Sequence, residues 1–163
     1  DRRLRRVTSA GRRCEAMKVH WSPKLAIGVP VLDDQHRELF RRVAALLTAM
    51  ADKHGGLHVR QTFQFLDRYV EQHFRDEEKL MRESGYTLLS AHQASHARFV
   101  AELRKLEALL EEDGGSARSN VAVRTGGLLC DWLRAHIASS DLDFAHHLAA
   151  RDPAAAEPVS GIA

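Results

Sequence analysis

Disulfides do not carry this fold. The chain holds two cysteines among 163 residues, Cys14 near the start and Cys130 in an apolar helical run. Two so placed make no staple framework, and a reducing cytoplasm is the expected compartment. A chain of this length buries enough apolar surface to fold without staples. No apolar run approaches about 18 residues, so no segment reads as a transmembrane helix. Neither sign of charge dominates. Lys+Arg number 24 against 22 Asp+Glu, a net +2, which argues against nucleic acid or an anionic membrane as the main partner. No stretch alternates apolar and polar residues between hairpin turns, so strands are not expected.

What is abundant is histidine. Ten His in 163 residues exceed what a pH switch or a single catalytic base requires. The ends contribute little. Residues 1–16 (DRRLRRVTSAGRRCEA) hold six Arg with Asp1 and Glu15, a local +4 that leaves −2 over 17–163. They lack an apolar core of roughly 7–15 residues, so they do not read as a secretory signal. They read as a disordered basic arm or an upstream remnant. The stretch from Arg151, RDPAAAEPVSGIA, is rich in Pro and Ala and reads as an unstructured tail over 151–163. The body, 17–150, reads as one domain.

Within the body the breaks fall at Asp52-Lys53-His54-Gly55-Gly56, Ser84-Gly85-Tyr86 and Asp113-Gly114-Gly115-Ser116. Between them lie segments at about 33–51, 57–83, 87–112 and 117–150, each with apolar residues at helical spacing. Asp33 and Ser116 are the expected N-caps of the first and fourth. Short connections make sequential helices antiparallel neighbours. The expected fold is therefore all-α, an up-down-up-down four-helix bundle with flexible termini.

The histidines fall on the apolar stripes. The first runs His36, Leu39, Val43, Leu46/Leu47, Met50. The second runs Phe63, Leu66, Tyr69/Val70, His73, Glu77, Leu80. The third runs Leu89, His92, His96, Phe99, Leu103, Leu106, Leu110. The fourth runs Leu128/Leu129, Trp132, His136, with Asp141 five residues on. One histidine on such a stripe is ordinarily a satisfied core residue. A set of five with a Glu and a nearby Asp is not, because each unpaired buried polar or charged group costs several kcal/mol. A domain with about 5–15 kcal/mol of total stability cannot carry that many. A metal site satisfies them together.

The spacings agree. His73/Glu77 and His92/His96 are i, i+4 pairs that share a helix face. His136 and Asp141 are five apart, about 140° on an ideal helix, so either the carboxylate reaches round or a π-bulge intervenes. At about 1.5 Å rise per residue, most of these positions fall near one level, towards one end of the bundle. His136 is the outlier unless the fourth helix overhangs its neighbours.

Each pair alone is a common motif; the combination H…HxxxE…HxxxH…HxxxxD across four helices is specific. With Trp21, Ile27-Gly28 and Asp33-Asp34-Gln35-His36 entering the first helix, then His73-Phe74-Arg75-Asp76-Glu77, Gly85-Tyr86 before His92-Gln93-Ala94-Ser95-His96, and Trp132-Leu133-Arg134-Ala135-His136-Ile137 leading to Asp141, the chain resembles a hemerythrin of the single-domain bacterial kind over about 20–148. That resemblance implies a non-haem di-iron centre. His92, His96 and His136 would hold one iron, His36 and His73 the other. Glu77 and Asp141 would bridge them, with a hydroxo or oxo bridge. The second iron then has an open position where the family binds O2. By position, Leu39, Phe74, Trp132, Ile137 and Ala138 would line the O2 pocket. Phe40, Phe63, Phe65 and Phe99 read as core.

Imidazole suits iron among first-row metals, whereas carboxylates prefer harder ions. Ferritin-like di-iron sites use four Glu and two His. A shell with fewer anions favours reversible binding over oxygen activation. The reading is a non-enzymatic, cytoplasmic, monomeric O2 carrier, store or buffer, with at most weak peroxidase-type activity. The alternatives are an oxygen or redox sensor acting through a separate, unidentified protein partner, and a di-iron peroxidase, nitric-oxide-handling or iron–sulfur-repair protein. A plain zinc or iron bundle without O2 chemistry is the blandest. Two departures from the family pattern stand out. Thr87 follows Gly-Tyr where many relatives have Pro, so the entry to the third helix is less rigidly set. Ala138 is small, which implies a more open pocket and faster autoxidation. His20, His54, His58, His146 and His147 read as surface or capping residues.

Overall fold

A computed structural model describes residues 19–51, 56–112 and 129–151. Within them α1 spans Pro30–Ala51, α2 Gly56–Glu83 and α3 Leu89–Glu112. α4 covers 129–151, with a π turn at Ile137–Asp141 followed by the α-helical stretch Leu142–Arg151. A short 3-10 turn, Pro23–Leu25, precedes α1. The architecture is a four-helix bundle in which α1 packs on α2 and α2 on α3. No strand occurs among the described residues, and none of their helices is long and apolar enough to cross a membrane. The basic arm, the tail beyond Arg151, the Ser116 cap, the early turns of the fourth segment, Cys14 and His54 lie outside the described residues. So do the side chains of Met50 and His58.

The first helix starts three residues before the expected cap. Val29 accepts from the Asp33 amide at 2.9 Å, and Pro30 takes the first helical position, where its fixed φ is already helical and its missing N–H costs nothing. Asp33 sits one turn in. Its carboxylate accepts from the backbone amides of Ile27 at 2.8 Å and Gly28 at 3.1 Å, so it fastens the entry loop rather than capping its own helix. That loop turns at Gly28, whose φ of +81° requires glycine. α2 ends in a Schellman arrangement. Gly85, φ +68°, donates to Arg82 O at 3.2 Å and Tyr86 donates to Met81 O at 2.9 Å. His147 of α4 adds a cap from outside by donating to Ser84 O at 3.0 Å.

Two apolar clusters form the core. The larger includes Leu39, Val43, Leu66, Val70, Phe99, Leu103, Leu129 and Ile137, packed down the long axis. The smaller, Leu32, Met81 and Phe144, closes one end with Ile27, Tyr86, Leu89 and Leu148 against it. Each fully buried Leu or Phe here contributes about 1.5–3 kcal/mol. Phe65 does not belong to either: it is 55% exposed. It lies two residues from Phe63, about 200° round the helix, so the two cannot share the buried stripe.

Candidate metal centre

On every helix the gap between the two apolar clusters is filled by polar residues. Along α1 the order is Leu32, His36, Leu39. Along α2 it is Phe74, Glu77, Met81, with His73 beside Phe74. On α3 His92 and His96 lie between Leu89 and Phe99. On α4 His136 and Asp141 lie between Leu133 and Phe144. All seven polar side chains are at most 5% exposed, and His36, Glu77 and Asp141 are fully buried. The structure brings together every candidate ligand named from the sequence.

Their donor atoms divide into two overlapping groups. Glu77, His92, His96 and His136 offer atoms within 4.8 Å of one another, and so do His36, His73 and Glu77. Glu77 belongs to both. Asp141 also spans the two: one carboxylate oxygen is 3.2 Å from His36 Nε2, the other 3.1 Å from His136 Nε2 and 3.5 Å from His92 Nε2. The π turn makes this possible. The Leu142 amide reaches back to Ile137 O, so residues five apart stack on one face and Asp141 comes under His136.

The packing within the layer is not that of a hydrogen-bonded core. His96 Nε2 and His136 Nε2 are 3.0 Å apart, His136 Nε2 and His92 Nε2 3.2 Å. The Nδ1 atoms of His96, His73 and His136 each face a partner outside the cluster: Glu78 Oε1 at 2.8 Å, Gln35 Oε1 at 2.9 Å and Ser95 Oγ at 3.3 Å. A neutral imidazole that donates from Nδ1 turns a lone pair inward at Nε2. Both His36 nitrogens, Glu77 Oε1 and both Asp141 oxygens have no hydrogen-bond partner; the close Asp141–imidazole contacts lack hydrogen-bond geometry. Lone pairs aimed at one another and orphaned buried oxygens fit a cation between them. Ligands at right angles on an ion with bonds of about 2.1 Å lie about 3.0 Å apart, close to the spacing of these nitrogens and of Glu77 Oε2 from His92 and His96, 3.0 and 3.2 Å. Five imidazoles and two carboxylates suit a divalent transition ion.

Electrostatics hold His73 and the two carboxylates in their binding forms. Burial pushes the His73 imidazole down to about 4, so it is neutral near pH 7. Burial also works to raise both carboxyls, and Asp141 and Glu77 repel each other. The hydrogen bond from His92 and the nearness of His96 to Glu77, and the proximity of His136 and His36 to Asp141, outweigh this and hold both below the ordinary carboxylate range. His92 is buried, which lowers it, but its bond to Glu77 leaves it raised on balance. Cys130, outside the layer, is buried and pushed up to about 11, which makes it an inert thiol.

The pocket candidates divide. Phe74 stacks on His96, with ring centroids 3.6 Å apart, and Trp132 stacks on His136 at 4.3 Å. Leu39 and Ile137 are buried beside the layer. Ala138 is exposed. Two residues past His136 is the far face of a helix of either pitch, so Ala138 does not line the site, and the more open pocket inferred from its size has no basis. Phe99, read as core, and three polar residues given no role from the sequence complete the surroundings. Phe99 stacks on Trp132 at 4.2 Å. Gln35, Glu78 and Ser95 hold imidazole Nδ1 atoms. Their signal was available: each adjoins a candidate ligand in sequence, with a polar group aimed at the neighbouring helix. His146 is exposed and His147 half-buried, the latter capping α2 rather than its own helix.

Comparison with known proteins agrees with this arrangement. Residues 27–148 match the family model described as "Hemerythrin HHE cation binding domain". A bacteriohemerythrin of Stenotrophomonas maltophilia is 32% identical over 130 residues, 80% of this chain and 81% of that protein. A bacteriohemerythrin of Pseudomonas paraeruginosa is 27% identical over 124 residues, 76% of this chain and 77% of that protein. A myohemerythrin of Sipunculus nudus is 30% identical over 128 residues, 76% and 88% of the two chains. Among solved structures, a hemerythrin point mutant superimposes with a TM-score of 0.71 at 25% identity, covering 80% of this chain and 97% of its own.

Proposed function

Since the chain belongs to the hemerythrin family, a family that typically binds O2 at a di-iron site, we propose that it binds O2 reversibly at a non-haem di-iron centre. In this reading it serves as a cytoplasmic oxygen carrier, store or buffer and not as an enzyme. His92, His96 and His136 would hold one iron and His36 and His73 the other, with Glu77 and Asp141, which reach both groups, as carboxylate donors to either. The observation that carries the reading is the convergence of seven buried donors in two groups sharing Glu77, with orphaned atoms on His36, Glu77 and Asp141. Iron bound there would supply the electrons that reversible O2 binding requires.

The chain's own residues supply the rest. The asymmetry of three histidines against two leaves the His36/His73 side one donor short. Gln35 accepts from His73 Nδ1–H and in turn donates to Asp76 at 2.8 Å, which fixes the ring's tautomer and direction. Phe74, Trp132, Leu39 and Ile137 surround the layer with apolar surface and keep water out. Water exclusion favours release of intact O2 over side reactions.

The test is anaerobic reduction of iron-loaded protein, then air, then argon, followed by visible absorption with iron counted. Two irons per chain and a charge-transfer band that appears in air and disappears under argon are expected. A band that forms once and decays overturns reversible binding in favour of redox sensing or peroxide chemistry. An absence of both band and iron overturns the di-iron reading.

A further inference from the structure

The two halves of the centre are not held alike. His96 Nδ1–H donates directly to the Glu78 carboxylate at 2.8 Å, and Gln93 Nε2 secures the other oxygen of that carboxylate at 2.8 Å. His73 Nδ1–H meets only the neutral amide of Gln35 at 2.9 Å. The nearest carboxylate, Asp76, is one step further out, held by Gln35 at 2.8 Å and Gln72 at 2.7 Å. On the same side as His73, His36 Nδ1 has no partner. A carboxylate on the outer nitrogen polarises an imidazole and makes its inner nitrogen a stronger donor than an amide does.

Resting on the metal-centre reading above, we propose that Glu78 is a positioning residue that makes the two metal positions unequal, so that the His92/His96/His136 position fills first and holds its ion more tightly. Three histidines against two already tilt the balance. Glu78 adds a tilt that ligand number does not contain, because it acts on one imidazole of one half. The Gln93 bond keeps the carboxylate from swinging to solvent. Glu78 is itself only about 20% exposed along its side chain, so its charge is less screened than that of a surface residue.

The test is stepwise titration of the metal-depleted full chain with Co(II), following both calorimetry and the visible bands of the bound ion. Wild type is expected to take up two ions in steps at least tenfold apart in affinity. Glu78→Gln keeps an acceptor oxygen and the size of the side chain but removes the charge. Its first step is expected to weaken by about 10–100-fold, with the second step within threefold of wild type. Gln35→Leu is the reciprocal control and is expected to weaken the second step alone. His36→Gln is expected to abolish the second step and leave the first, which assigns the steps to their positions. Helical circular dichroism of each metal-free variant separates a change in donor strength from loss of fold. Equal weakening of both steps by Glu78→Gln, or no change in either, overturns the role of Glu78 while leaving a two-metal centre standing. Failure of wild type to bind any Co(II) overturns the metal-centre reading itself and the inference with it.

Discussion

Replacing His36 with leucine is expected to stabilise the metal-free protein and weaken the metal-loaded one. His36 is fully buried and neither ring nitrogen has a hydrogen-bond partner. A buried polar group left unpaired costs about 1–3 kcal/mol. Leucine has similar volume and joins Leu32 and Leu39 on the same α1 stripe, both buried. Asp141 loses its 3.2 Å neighbour but keeps His136 at 3.1 Å. The net expectation for metal-free His36→Leu is a gain of about 2 kcal/mol, the middle of that range. Over the matched residues 27–148, at about 2.1 cal/mol/K of unfolding entropy per residue, this raises Tm by about 8 °C. Metal reverses the order. An ion at a thousand times its Kd stabilises the folded state by about 4 kcal/mol, and the variant forfeits the His36/His73 ion. The assay is urea and thermal unfolding of both proteins after chelation, then after reloading. A variant less stable than wild type when both are metal-free refutes the reasoning, because His36 would then be an ordinary satisfied core residue.

Two further outcomes follow from the same layer. The metal-free chain is expected to be most stable near pH 6.5. His73 falls to about 4 when folded, so the unfolded chain binds more protons between 4 and 6.5. Stability therefore drops by about 3 kcal/mol as pH falls through that window. His92 is raised, so its contribution is complete below 6.5 and is lost as pH rises above it; a midpoint urea concentration that rises steadily from pH 6.5 to 8 would contradict this. Inserting one alanine after Ala138 adds a residue to the π turn at Ile137–Asp141, sets His136 and Asp141 six residues apart, and is expected to rotate Asp141 away from the layer by about 100°. Metal stoichiometry by elemental analysis then falls below that of wild type, and retention of full loading would show that the turn is not what delivers Asp141.

The helices and ligands were legible because two periodicities coincide. Apolar residues at three-four spacing mark the inward face of each helix, and the histidines interrupt those stripes at one level. Burial then follows from position alone, so His73, Glu77, His92 and His96 could be placed as pairs without knowing how the helices pack. Asp141 could not be placed with certainty, because five residues is the wrong interval for an α-helix. Sequence spacing shows that something must give but not whether the side chain or the backbone gives; here it is the backbone. Phe65 and Ala138 went astray for a different reason. A large apolar residue beside a buried one, and a small residue beside a ligand, were read by neighbourhood rather than by angle. At two residues' separation, angle decides against both.

The outer partners were passed over for a different reason. Gln35 lies next to His36 in the chain but serves His73, 38 residues away. Glu78 lies next to Glu77 but serves His96, 18 residues away. Adjacent helix positions point about 100° apart, so the neighbour of an inward ligand aims at the seam with the next helix, where that helix's ligands present their outer nitrogens. A polar residue next to a ligand is thus placed to orient a ligand on another helix, and never the one beside it. The consequence for this bundle is mechanical. Each such bond ties two helices together at the level of the layer, α1 to α2 through Gln35 and α2 to α3 through Glu78. The rings are therefore aimed by the packing of the bundle before any ion arrives. Preorganised donors lose little freedom on binding, so these bonds favour ion uptake at the positions they serve.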